Sequence, residues 1–299
     1  MKIAVTGAFS YSGKYITKRL LDRGEEVITL TNHPNRPDPF NGKVKAYPLD
    51  FDEASMTRSL QGVEILVNTY WVRFDKDKNT QPRAVENTRK LVNAAKAAGV
   101  RRIVHISIAN PSADSYLPYY WGKAANEKTV MESGLSYAIL RPTVLIGKED
   151  ILINNIAYLL RRLPFFFIPG DGSYGIQPVY IEDLADLAVE GVYSKENYVI
   201  DAVGPDTYAF KDLVKLIGKK IGAERPVISL PPRLALLAAQ FLSLFVKDVI
   251  LTPEEVDGLM ANLLVSQEPA RAKTAFKDWL ESNKNTVGMK YASELQRHY

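Results

Sequence analysis

Through its first half the chain alternates short runs rich in valine and isoleucine, at residues 2–6, 26–31, 65–69, 103–107 and 137–140, with segments of helical period. Strands buried on both faces and joined by helical crossovers give this pattern, so it predicts a parallel sheet wrapped by helices. The clearest helix carries Val85, Thr88, Val92 and Ala95 on one face and ends at Gly99, a residue suited to a left-handed cap. Right-handed crossovers then make the expected fold class a doubly wound parallel α/β sheet.

Past Gly147 the pattern changes. An Ile- and Leu-rich segment, the Phe165-Phe166-Phe167 cluster and the Pro169-Gly170-Asp171-Gly172 turn precede a strand-helix unit at 177–192 and a strand at 197–201. The remainder reads as mainly helical, with Thr252-Pro253-Glu254-Glu255 marking a helix start. The expected organisation is a nucleotide-binding domain over 1–147, to which 175–205 returns, and a smaller, mainly helical substrate-binding lobe over 148–299.

Composition removes several chemistries. With 46% hydrophobic and 24% charged residues in 299, the chain can bury a sizeable core. Its 38 Lys+Arg against 34 Asp+Glu leave only +4, so nucleic acid is not an expected partner. The absence of cysteine excludes disulfides, thiolate metal sites and a thiol nucleophile. His33, His105 and His298 stand apart, which leaves little material for a metal site or a Ser-His-Asp triad, and no metal is expected. The opening apolar run is far too short for a signal peptide. The stretches 234–246 and 151–168 fall short of a bilayer span or are broken by Arg161 and Arg162, so we expect a cytoplasmic chain without a transmembrane helix.

The first strand runs directly into Thr6-Gly7-Ala8-Phe9-Ser10-Tyr11-Ser12-Gly13, and a helix follows through Leu21. This is the strand-turn-helix setting of a Rossmann dinucleotide loop. Gly7 lets the strand turn, Gly13 lets the helix approach the sheet, and the amides of Phe9 to Gly13 point at a pyrophosphate. Ser10 stands where a middle glycine is usual; its hydroxyl is expected to cap the helix or to donate to phosphate. Strand two ends in Leu30-Thr31-Asn32-His33 with Arg36 close behind, and no carboxylate is there to accept from a ribose 2′-hydroxyl. Asn32 and Arg36 suit a 2′-phosphate, so NADP is the expected cofactor, with NAD the alternative. Asp50 is read either as an acceptor for the adenine amino group or as the cap of the next helix.

Tyr119 and Lys123 are four apart on a predicted helix and share a face. An ammonium beside a phenol favours the phenolate, which makes the pair a tuned acid/base. The helix follows the strand ending at Ser107, which places Tyr119 near the carboxyl edge of the sheet, where open α/β folds bind ligands.

Together with Val85-Glu86-Asn87-Thr88, Leu140-Arg141-Pro142-Thr143 and Val179-Tyr180-Ile181-Glu182-Asp183, these features resemble the extended and atypical branches of the short-chain dehydrogenase/reductase superfamily, over most of the chain. The resemblance implies hydride transfer between a nicotinamide and a carbonyl or alcohol substrate, with Tyr119 as acid/base and Lys123 also on the nicotinamide ribose. Ser107 is the implied carbonyl-polarising serine, with Ser112 and Ser115 as alternatives. Thr69 or Tyr70, together with Pro142, are the implied nicotinamide-pocket positions. The resemblance also extends to nucleotide-sugar epimerases and dehydratases that retain NAD, to the NADPH-binding accessory subunit of respiratory complex I, and to sensors that bind the dinucleotide without turning it over.

The segments 151–168 and 234–246 are dense in Leu, Ile and Phe and flanked by Arg161, Arg162 and Arg233. Core or oligomer contacts are the ordinary reading of such stretches. The sharper one is a peripheral membrane contact or an opening for an apolar small-molecule substrate such as a quinone or lipid. No motif fixes the oligomeric state.

Overall fold

The computed structural model describes residues 1–33 and 35–295; His298 lies outside the described residues. By its internal contacts the chain divides into two compact units, Met1–Pro142 with Ile181–Ala202, and Thr143–Tyr180 with Val203–Tyr299.

In chain order, the first unit opens with β1 (Lys2–Thr6), α1 (Tyr11–Asp22), β2 (Glu26–Thr31), β3 (Lys45–Pro48) and α2 (Glu53–Ser59). It continues through β4 (Ile65–Asn68), α3 (Gln81–Ala97), β5 (Arg102–Ile106), α4 (Pro118–Met131) and β6 (Ser136–Pro142). The second unit then contributes β7 (Val144–Ile146), α5 (Leu152–Arg162), β8 (Phe166–Pro169), β9 (Gly175–Ile176) and β10 (Pro178–Tyr180). The chain re-enters the first unit with α6 (Ile181–Tyr193) and β11 (Tyr198–Ala202). It finishes in the second with β12 (Tyr208–Ala209), α7 (Phe210–Lys220), β13 (Val227–Leu230), α8 (Pro232–Val246), α9 (Pro253–Met260) and α10 (Phe276–Asn283).

Seven parallel strands form one sheet in the order β3-β2-β1-β4-β5-β6-β11. The order reverses between β1 and β4, which opens a crevice at their carboxyl ends. Leu66, Ile103 and Ile139 of successive strands bury one sheet face beneath Met56 of α2, Leu91 and Val92 of α3 and Val130 of α4. Helices α1 and α6 pack together on their own side, where Arg19 binds Glu182 and Asp186. Chain stops match their chemistry: Gly99 after α3 adopts φ +84°, and Thr252 completes a capping box with Glu255 at the start of α9. Helix α4 is fixed to β6 by the bidentate pair of Arg141 with Glu127, at 2.9 and 2.6 Å.

The second unit has its own core, in which Ile153, Ile156 and Leu160 of α5 meet Leu213 and Ile217 of α7, Phe276 and Leu280. The segment 151–168 is thus largely interior. No helix among the described residues is long and apolar enough to cross a membrane, and no cluster of His, Asp and Glu there could hold a metal ion.

Candidate active site

The loop after β1 is built by close approach of backbone to backbone. Gly7 sits at φ +64° and donates to Leu30 O of β2 at 2.9 Å. Its carbonyl lies so near Gly13 that a Cβ there would stand 2.2 Å from the oxygen. Only glycine at 13 lets α1 start this close to the strand. Ala8 N–H donates to Thr29 Oγ1, which in turn donates to Val5 O, tying the loop to both adjoining strands. Among the described residues, the first turn of α1 carries no acid. Glycines set where side chains would collide, with a helix N-terminus free of negative charge, fit the diphosphate of a dinucleotide.

For both Ser10 and Asp50 the capping alternative fails. Ser10 occupies the N-cap position but makes no side-chain cap; its Oγ donates back to Gly7 O at 2.6 Å, because that carbonyl is its nearest strong acceptor. Asp50 does not cap α2 either. That task falls to Asp52, which accepts from Ser55 N at 2.7 Å, while exposed Asp50 accepts from Asp52 N. Phe9 packs near Phe40, with ring centroids 6.3 Å apart, while Tyr11 and Ser12 open α1 half-buried. Asn32 is exposed beyond β2, and the Arg36 guanidinium lies close enough to His33 to help burial hold that imidazole below its ordinary pKa.

Across the crevice, Thr69 follows β4 and is laced to β1: its N–H donates to Thr6 Oγ1 at 2.7 Å and its Oγ1 to Thr6 O at 2.6 Å. Thr6 Oγ1 donates to Asn68 Oδ1, which also accepts from Tyr70 N. That fixes the Asn68 amide, so Nδ2 is the group facing His105 Nδ1 at 3.1 Å, and the neutral imidazole must carry its proton on Nε2. His105 is fully buried and held at about 3, by burial first and then by the nearby Lys123 ammonium. Tyr70 is pushed up by burial, although Asn87 donates to its hydroxyl at 3.0 Å.

Tyr119 and Lys123 lie on one face of α4, with Lys123 Nζ 6.0 Å from the Tyr119 ring centroid. Between them, on Gly122, sits Trp71. A Cβ at 122 would stand 2.5 Å from the indole Cη2. The indole meets Tyr119 edge-on at 5.8 Å and has the Lys123 ammonium 5.0 Å from a ring centroid. Lys123 is 4% exposed, donates to Ile106 O at 3.1 Å and is held at about 7, chiefly by burial and against the pull of Glu127. Ser107 follows β5 and is buried; its N–H donates to Leu140 O. Pro142, ending β6, accepts from Ala109 N. Ser112 and Ser115 instead serve turns, accepting from Asp114 N and Leu117 N. Four side chains here have buried polar atoms without a hydrogen-bond partner among the described residues: Trp71 Nε1, His105 Nε2, Ser107 Oγ and both amide atoms of Asn126.

A sequence model of the family described as NAD(P)H-binding matches residues 7–156, from the loop glycine past the end of β6. The chain belongs to this NAD(P)H-binding family. Among its relatives is the Arabidopsis thaliana protein named NADH dehydrogenase [ubiquinone] 1 alpha subcomplex subunit 9, mitochondrial. It is 23% identical over 239 residues, which are 76% of this chain and 60% of the plant protein, so the chain spans about three fifths of that relative's length. The fold is shared with MoeE5 in complex with UDP-glucose and NAD, at TM-score 0.71 and 17% identity over 96% of this chain and 98% of the other. It is also shared with UDP-glucuronic acid 4-epimerase from Bacillus cereus in complex with UDP-glucuronic acid and NAD, at TM-score 0.69 and 20% identity over 96% and 99%.

Trp71, Gly122, Asn68 and His105 were missed by sequence reasoning as site residues. Gly122, immediately before Lys123, was the one available signal, since a glycine inside a helix asks for a packing reason.

Proposed function

We propose that this family member is an NADP-dependent oxidoreductase acting on a carbonyl or alcohol, with Tyr119 as its acid/base. The observation that carries the reading is the seating of Tyr119, Lys123 and orphaned Ser107 Oγ around the carboxyl ends of β4 and β5. Bound in the glycine loop, a nicotinamide dinucleotide supplies hydride exchange with the substrate carbon. The chain's part is the proton: Tyr119 gives or takes it at its phenol oxygen, and the Lys123 ammonium beside the ring favours the phenolate. Ser107 Oγ–H, with no acceptor among the described residues, would donate to a substrate oxygen. Burial excludes water from Lys123 and strengthens its field on the phenol. Phe9 to Gly13 would hold the diphosphate, Asn32 and Arg36 the 2′-phosphate, Asp50 the adenine amino group, and Thr69 and Pro142 the nicotinamide.

Tyr119→Phe should abolish turnover of NADPH with a carbonyl panel while leaving coenzyme affinity by calorimetry within about 2-fold. A variant that keeps the wild-type rate would overturn the assignment.

A second reading is favoured by the two NAD-bound structures of like fold: a nucleotide-sugar epimerase or dehydratase that retains NAD, recognised by non-released NAD in the purified protein. A third is favoured by the ammonium's existing bond to Ile106 O: a binder of NADP that catalyses nothing. Tight binding of NADPH with no oxidation by carbonyls or quinones would select it.

A further inference from the structure

Helix α8 is inside out. Its buried residues are Ala235 and Ala239, with Leu236, Leu242 and Val246 half-buried, while five large side chains face away: Leu234 is 50% exposed, Leu237 59%, Phe241 61%, Leu244 74% and Phe245 69%. Spacings of three and four place these five within an arc of about 100°, directly opposite the alanines. An ordinary surface helix has the reverse arrangement, and so continuous an exposed apolar stripe marks a contact surface. Phe241 and Phe245 pack edge-on at 5.0 Å, so the stripe is closed rather than scattered. Ile228 on β13, one of the two strands against which α8 packs, is also exposed.

Charge decides what covers it. Exposed Arg233 and Lys247 stand at the two ends of the helix, and no acid occurs between Glu224 and Asp248. Asp248 itself is buried and turned inward, accepting from Glu294 N and Leu295 N. A second copy laid antiparallel would bring Arg233 onto Lys247, and a parallel one would bring each cation onto its like. A sheet of anionic headgroups over hydrocarbon neutralises both ends and buries the stripe between them. At 15 residues, the helix would lie along the surface rather than cross it.

We propose that the outer face of α8 docks on an anionic lipid surface, with Leu234, Leu237, Phe241, Leu244 and Phe245 in the interfacial layer and Arg233 and Lys247 on headgroup phosphates. This holds whether or not the reading of Tyr119 survives, since it shares no residue with that site.

The test is flotation of the whole chain with phosphatidylcholine vesicles, with and without phosphatidylglycerol. The protein should rise with the anionic vesicles. Arg233→Gln/Lys247→Gln should weaken partitioning roughly 30-fold, and Leu237→Ser/Phe241→Ser/Phe245→Ser should remove it. Unchanged melting temperature and unchanged NADPH affinity serve as checks that each variant is folded. Protein that stays in the soluble fraction at every lipid concentration overturns the proposal. So does equal partitioning onto both vesicle types, or a concentration-dependent dimer that the triple variant dissolves.

Discussion

The glycine loop and the Tyr119 corner face the same crevice and are built on opposite plans. In the loop, groups bond one another: Ser10 Oγ to Gly7 O, Gly7 N to Leu30 O, Ala8 N to Thr29 Oγ1. In the corner, Trp71 Nε1, His105 Nε2, Ser107 Oγ and Asn126 are buried with hydrogen-bonding capacity left over among the described residues. A cradle made of backbone is finished by folding alone. Unsatisfied polar groups in a low-dielectric place cost stability, and they give the strongest response to a ligand that satisfies them.

Four substitutions put this contrast to the test. Gly13→Ala drives a Cβ into Gly7 O, where no side chain can yield, and should cost about 3 kcal/mol or more in urea unfolding along with all measurable NADPH binding. Lys123→Met tests the corner through pH. A lysine held at about 7 instead of 10.5 is neutral in the folded chain and protonated in the unfolded one between those values, so wild-type stability rises with pH across that window. Below 7 the fold bears the full cost of the buried ammonium. The methionine variant should therefore melt several degrees higher than wild type there, with the gap closing by pH 10.5. Gly122→Ala should displace the indole, cost about 1–3 kcal/mol and shift the tryptophan emission. Ser107→Ala should leave stability within about 0.5 kcal/mol, since it breaks no side-chain hydrogen bond among the described residues, while lowering turnover about 10-fold or more. A serine variant as active as wild type would leave that orphaned hydroxyl without a catalytic part.

What the sequence announces is whatever local chemistry decides. The runs at 2–6 and 26–31 are strands over those same residues, and Gly99 ends α3, because β-branched runs and glycine act within a few residues. Pairing across the sheet is silent in one dimension. Asn68 and His105 are 37 positions apart and meet only because β4 and β5 align them in register. Thr80 caps α3 as a hydroxyl should, yet Ser10 does not cap α1, since a carbonyl brought near by Gly7 outcompetes the helix amides. In α8 the sequence shows apolar density but not its direction: apolar residues run all round the helix, and only packing tells which side is out.

The first unit is assembled from two stretches of chain, with residues 143–180 intervening before α6 and β11 arrive. A ribosome must therefore release residue 186 before Arg19 gains both its carboxylates, and residue 202 before β6 gains its whole outer neighbour. A fragment stopping at Pro142 would expose a bare β edge and the uncovered flank of α1, a surface that invites aggregation. The first unit cannot be cut free by shortening; it must be liberated, if at all, by closing the gap between Pro142 and Ile181 with a new linker.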